Sequence, residues 1–262
     1  MALVDRQGEA VVIDRQVVFA NEIVRKVVGS TALGTAVEGT DDRDEMGVFI
    51  EPPEYVCGLE SLDHYIQRDQ PEGMPSQPGD LDLTLYSLRK FTKLAARGNP
   101  TVLMLFFSKE FVPNTLTGLG HRLLLCKSLF LSREAGQRFL GYMQGQKKRL
   151  LGERASVTNR PELESAHGYD TKFAMHALRL GLEGIEVMQT RDLVLPHHGS
   201  TLDTLRAVRA GQVSFDEVVK LITDAEAKLL RAIEHSTLPE TVDQQSINNM
   251  LVNMHQLHWE IS

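Results

Sequence analysis

GSTALGTAVEGTDDRDEMGVFIEP, Gly29–Pro52, is the stretch on which the fold turns, because it joins two runs of strand character through glycines and acids. Before it, EIVRKVV (Glu22–Val28) is rich in β-branched residues and ends at the Gly29-Ser30 pair, as a strand ends at a turn. Within it, MGVFI (Met46–Ile50) reads as a second short strand, stopped by Pro52 and Pro53. Asp42 and Asp44 lie two residues apart at the start of that strand, so both side chains emerge on one face.

Working outward, Arg68–Asp80 holds three prolines and two glycines and must be a loop. After it DLDLTLY alternates strictly. Asp80, Asp82, Thr84 and Tyr86 point one way and Leu81, Leu83 and Leu85 the other, the pattern of a half-buried strand. Ser87 reads as the N-cap of a helix, SLRKFTKLAARG, closed by Gly98 and Pro100. From Thr101 onward a 3.6-residue period takes over, with helices expected near 101–107, 133–150, 169–190, 201–210, 215–234 and 243–258. Strands early and helices late make this an α+β chain. The division is expected near residue 115, with an α+β core over 1–115 and a helical region over 116–262.

Two strands that each present Asp-x-Asp on one face would, side by side, gather three or four carboxylates. Like charges that close need cations. Hard oxygen donors in that number suit Mg²⁺, which keeps several waters and takes one or two carboxylates plus substrate phosphates. A Gly-Ser pair directly after a strand lets backbone N–H groups approach a phosphate, and Ser30 adds a hydroxyl. Gly-Ser alone is usually a turn, and Asp-x-Asp alone a solvated loop. The combination, with eleven residues between Ser30 and Asp42, is more specific.

The bulk numbers set the frame. With 262 residues, 42% hydrophobic and 24% charged, the chain has ordinary globular composition and room for a real core. A net charge of −7 argues against bulk electrostatic coating of nucleic acid; QKKRLLGERASVTNR (Gln146–Arg160) is the best candidate for a local basic patch. No apolar run approaches the ~20 residues needed to cross a bilayer, and the N-terminal residues do not read as a secretion signal. Cys57 and Cys126 fit neither a disulfide framework nor a zinc knuckle, so a cytoplasmic protein is expected.

The succession GSTALGT (Gly29–Thr35), DDRDEMGVFI (Asp41–Ile50), DLTLYSLRKF (Asp82–Phe91), GNPTVLMLFFS (Gly98–Ser108) and GYDTKFAMHALRL (Gly168–Leu180) resembles the nucleotidyltransferases of the DNA polymerase β superfamily. Within it the similarity is closest to the RlaP-like branch associated with RNA repair. The resemblance implies a small mixed sheet carrying the carboxylates, with a helical C-terminal region closing over the nucleotide. It makes Asp42 and Asp44 the metal-binding pair and Asp82 the third carboxylate and candidate base, with Asp80 ranked second. Asp41 and Glu45 then read as surface charge. The chain departs from the family pattern at Thr31 and Leu33, where a basic residue and an aromatic are usual.

Lys172, His176 and Arg179 fall at i, i+4 and i+7 on one helical face. By pattern alone that is an exposed basic stripe; the resemblance makes it a face of three cations for a triphosphate. Tyr169 could stack on a base or simply pack. His197-His198 reads as a loop pair, and His255 and His258 as part of a packing helix. GEAVVIDRQVV (Gly8–Val18) lacks the ending of a phosphate loop, and Ser30 has no His partner for hydrolase chemistry.

The activity implied is transfer of an NMP from an NTP to a hydroxyl, with Mg²⁺ or Mn²⁺ and release of pyrophosphate. The acceptor implied is an RNA 3′ end, tRNA-like. Two other readings stay open at this point: a protein hydroxyl as acceptor, as in AMPylation, and a non-catalytic nucleotide- or RNA-binding protein of the same fold. The full set of carboxylates counts against the last.

Overall fold

A computed structural model describes residues 3–4, 10–11, 15–36, 42–69, 79–153 and 160–261. Asp41, the middle of the Arg68–Asp80 loop, residues 154–159 of the basic segment and much of Gly8–Val18 therefore lie outside the described residues. The chain opens with β1 (Leu3–Val4), paired antiparallel with β2 (Ala10–Val11). Then come α1 (Arg15–Ala20), β3 (Glu22–Val27), the short α2 (Gly29–Leu33), β4 (Arg43–Phe49), α3 (Pro53–Cys57), β5 (His64–Arg68) and β6 (Leu81–Ser87). Helices follow, with no further strand among the described residues: α4 (Leu88–Ala96), α5 (Pro100–Phe107), α6 (Gly118–Leu125), α7 (Arg133–Leu150), α8 (Pro161–His167), α9 (Thr171–Thr190), α10 (Gly199–Arg209), α11 (Phe215–His235) and α12 (Gln244–Ile261). The architecture is mixed α+β, with the helices gathered in the C-terminal part. None of the described helices is long and apolar enough to cross a membrane.

The main sheet has the order β3-β4-β6-β5, with β4 and β6 parallel and both outer pairs antiparallel. The parallel pair sets Asp44 opposite Asp82, Met46 opposite Thr84 and Val48 opposite Tyr86. Because side chains alternate along a strand, Asp44, Met46 and Val48 share one face of β4, which passes within two steps from a charged end to buried core. The other face carries Phe49, Leu83 and Leu85, which pack with Val18 of α1 and with Leu62 in a smaller cluster. Glu45 belongs to that second face and is not surface charge. It is 5% exposed, held by Arg25 Nη1 at 3.1 Å and Arg43 Nε at 2.6 Å.

Every periodic stretch of the second half forms a helix, and among the described residues five short helices arise where the period gives little warning: α1, α2, α3, α6 and α8. In α6 glycine is required by packing rather than propensity, since a Cβ on Gly120 would stand 1.9 Å from the Ile23 carbonyl oxygen. The largest hydrophobic cluster runs from Ile23 to Met254, so sheet and helices share one core. At its centre α5 is buried almost all round, started by Asn99, whose side chain accepts from Thr101 N and Val102 N. The long α9 is enclosed by α7, α10 and α11. Its N-cap is Asp170, which accepts from Lys172 N at 2.9 Å and Phe173 N at 3.0 Å.

The histidines of α12 belong to packing. His255 Nε2 lies 3.2 Å from Glu51 Oε2, His258 Nε2 lies 2.7 Å from Asn21 Oδ1, and Trp259 donates to the Glu51 carbonyl. Tyr169 packs as well: it is 3% exposed, donates to the Val213 carbonyl and rests on Phe215. Both cysteines are free thiols.

Ser87 joins the sheet to the helices. It ends β6, its own N–H donates to the Asp63 carbonyl, and its hydroxyl caps α4 by accepting from Lys90 N at 3.1 Å. Ser87→Ala is expected to lower stability by about 1 kcal/mol, seen as a lower urea midpoint with an unchanged slope.

Candidate nucleotide and metal site

One cavity of about 420 Å³ lies between the charged end of the β4–β6 face and α9. Gly29, Ser30, Asp42, Asp44, Asp82, Lys172, His176 and Arg179 all line it, although the chain between the first and last of them is 150 residues long. Asp80 does not line it; its backbone carbonyl accepts from Arg43 N and helps set the strand register. Thr84 and Tyr86 line it too, as the alternation along β6 implies, and so do Thr35, Arg68 and Arg209, which no local pattern singles out.

The Gly29-Ser30 pair is the first turn of α2 rather than a plain loop. Gly29 has φ +63°, and a Cβ there would stand 1.8 Å from Asp44 Oδ2. Only glycine meets both conditions: the left-handed backbone and a carboxylate packed directly against it. The contact is reinforced by Val28 N, which donates to the Asp44 carbonyl at 2.9 Å. Of the two departures from the family pattern, Thr31 is exposed and off the cavity wall, whereas Leu33 lines it.

The two walls are opposite in charge. Asp42, Asp44 and Asp82 stand on the sheet side; Lys172, Arg179 and Arg209 stand on the helical side. Asp82 is shared with Arg68, whose Nε lies 3.2 Å from its Oδ2. Arg179 Nη1 lies 3.0 and 3.1 Å from the two oxygens of Glu183, and its Nη2 lies 3.4 Å from His176 Nδ1. An arginine only donates, so Nδ1 accepts and the His176 proton belongs on Nε2. Burial, with Arg179, Lys172, Arg160 and Arg209 around it, pushes the His176 imidazole down to about 3. The face therefore offers two cations and a neutral imidazole, not three cations.

In two residues of the lining a buried polar atom has no hydrogen-bond partner among the described residues, Thr35 Oγ1 and Arg179 Nε. Thr35 is 3% exposed, so its hydroxyl has left water without gaining a bond among the described residues. Among the described residues no three His, Cys, Asp or Glu side chains close round a common point as a complete metal site. Asp44 and Asp82 as register partners nonetheless fit a hard cation that completes its shell with water and phosphate oxygens.

A family model described as the RNA repair pathway DNA polymerase beta family, RlaP, matches residues 9–253. A solved structure described as a nucleotidyltransferase-like protein from Exiguobacterium sibiricum 255-15 is similar over 95% of this chain and 76% of its own, at 9% identity and a TM-score of 0.30. No curated protein matches the chain.

Two outcomes follow from the geometry. Gly29→Ala should destabilise the protein by at least about 1 kcal/mol from backbone strain alone, with more from the displaced Asp44, read as a lower thermal midpoint. In an NMR titration His176 should show no protonation between pH 8 and pH 5. The unfolded chain, with an ordinary imidazole, protonates near pH 6.5, so this group's contribution to stability is present above that pH and falls away below it.

Proposed function

The chain belongs to the RNA repair pathway DNA polymerase beta family, and on that premise we propose that it transfers an NMP from an NTP to the 3′ hydroxyl of an RNA, tRNA-like in structure. It is a nucleotidyltransferase of the polymerase β superfamily. One observation carries the finer reading. Asp44 and Asp82, paired in register on parallel strands, face Lys172 and Arg179 across a single cavity. An acidic wall opposite a basic one fits a triphosphate with its cation, and fits neither a neutral ligand nor a bare anion.

The triphosphate would lie along Ser30 and the Gly29 backbone on one side and Lys172, Arg179 and Arg209 on the other. His176, neutral and protonated on Nε2, would donate a hydrogen bond to it. Asp42, Asp44 and Asp82 would hold Mg²⁺ or Mn²⁺. When bound, the cation would neutralise the phosphates and favour departure of the leaving oxygen. The acceptor oxygen attacks the α-phosphorus, the bond to the β-phosphate oxygen breaks, and pyrophosphate leaves with that electron pair. Asp82 is the candidate to take the acceptor's proton. RNA is the favoured acceptor because the family is an RNA-repair one. The overall negative charge suits a small structured RNA gripped locally better than long duplex DNA.

The test is incubation with each labelled NTP and Mg²⁺ or Mn²⁺ over a panel of RNAs, with label expected at an RNA 3′ end. Asp44→Asn should abolish transfer in a folded protein, and Asp82→Asn should slow it by about 10²–10⁴-fold. Label on protein with none on RNA would overturn the RNA acceptor.

A further inference from the structure

Glu183 is 0% exposed, does not line the cavity, and lies one turn beyond Arg179 on α9. A fully buried carboxylate needs partners. It has two: Arg179, bound through both oxygens, and His197, whose Nε2 lies 3.2 Å from Oε1. Burial alone would raise this carboxyl; Arg179 and His197 together hold it below the usual range, as an anion.

His197 is 4% exposed and has a second attachment. Its backbone N–H donates to the Leu33 carbonyl at 3.1 Å, at the end of α2. The next carbonyl, Gly34, accepts from Arg206 Nε at 3.1 Å and Nη2 at 2.8 Å. The turn that carries Gly29 and Ser30 is thus tied to the helical region by two successive carbonyls. One of those ties leads through His197 and Glu183 to the arginine on the opposite wall. With both Glu183 bonds on Nη1 and Nη2 beside His176 Nδ1, the guanidinium of this cavity-lining residue is held in one orientation.

We propose that Glu183 and His197 are positioning residues that aim Arg179 at the nucleotide and set its distance from the Gly29–Thr35 turn. This rests on the nucleotide reading of the cavity. They would govern nucleotide affinity more than chemistry on bound nucleotide, because neither touches the cavity.

The experiment is calorimetric titration of a non-hydrolysable NTP analogue with Mn²⁺ into wild type, Glu183→Gln, His197→Asn, Arg179→Ala and the Glu183→Gln/Arg179→Ala double variant. Each is checked for folding by circular dichroism. His197→Asn keeps the backbone tie to Leu33 and removes only the ring. Both single variants should bind on the order of tenfold more weakly, with KM raised more than kcat is lowered, and Glu183→Gln should cost nothing further once Arg179 is gone. Folded Glu183→Gln and His197→Asn with wild-type affinity would overturn the proposal, as would a Glu183→Gln loss that adds fully to that of Arg179→Ala. If Glu183→Gln does not fold, His197→Asn decides; if neither folds, the pair is structural and the proposal falls. Wild type that binds no nucleotide would overturn the reading of the cavity as well, whereas tight wild-type binding with unaffected variants would overturn the positioning role alone.

Discussion

Parallel pairing of β4 and β6 puts Asp44 beside Asp82, and much of the molecule is arranged around that juxtaposition. Two charges at the ~4.8 Å spacing of neighbouring strands repel by about 3 kcal/mol at an effective dielectric of about 20, and by less where water reaches them. The fold meets this in visible ways. Asp82 shares its charge with Arg68, and Asp44 lies against the backbone of Gly29, where no other residue leaves room. What remains of the negative potential opens into a cavity whose far wall is basic. A parallel pair also demands a crossover, and the chain between Phe49 and Leu81, with α3 and β5, supplies it.

The same alternation that exposes the acids anchors the sheet. Two residues after Asp44 comes Met46, 4% exposed, and two after that Val48, fully buried in the core that reaches through α5 to α9 and α11. The carboxylates are thus the rim of the hydrophobic core and inherit its rigidity. The basic wall is as firmly held, since α9 is packed on three sides and starts at a buried, doubly bonded N-cap. Opposite charges are placed on two rigid elements, so the gap between them is set by packing and not by loop conformation.

Much of this was legible from sequence, for physical reasons. The alternation from Leu81 to Ser87 and the helical period of the second half are local signals, and they placed β6 and the long helices within a few residues, whereas β5 beside β6 and the short β1 and β2 went unread. Gly29-Ser30 and the Asp-x-Asp spacings pointed to residues that line one cavity, Asp80 excepted, because close approach and shared faces are local too. What was illegible depends on partners distant in the chain. Glu45 read as surface charge because nothing nearby announces that Arg25 meets it across β3–β4. His197 read as a loop histidine because its partners, Leu33 and Glu183, come from α2 and α9. Thr35, Arg68 and Arg209 reach the cavity through tertiary packing alone, and the neutrality of His176 follows from burial and neighbouring cations that no spacing rule reports.

In the proposed function a nucleotide with its cation bridges the β4–β6 carboxylates and α9. The most direct measurement is a crystal structure with Mn²⁺ and a non-hydrolysable NTP analogue, using manganese anomalous scattering to locate the ion. An anomalous peak between the Asp44 and Asp82 carboxylates, with phosphates within hydrogen-bond reach of Ser30 and Lys172, is the predicted result. A nucleotide bound elsewhere, or manganese away from both carboxylates, would contradict it.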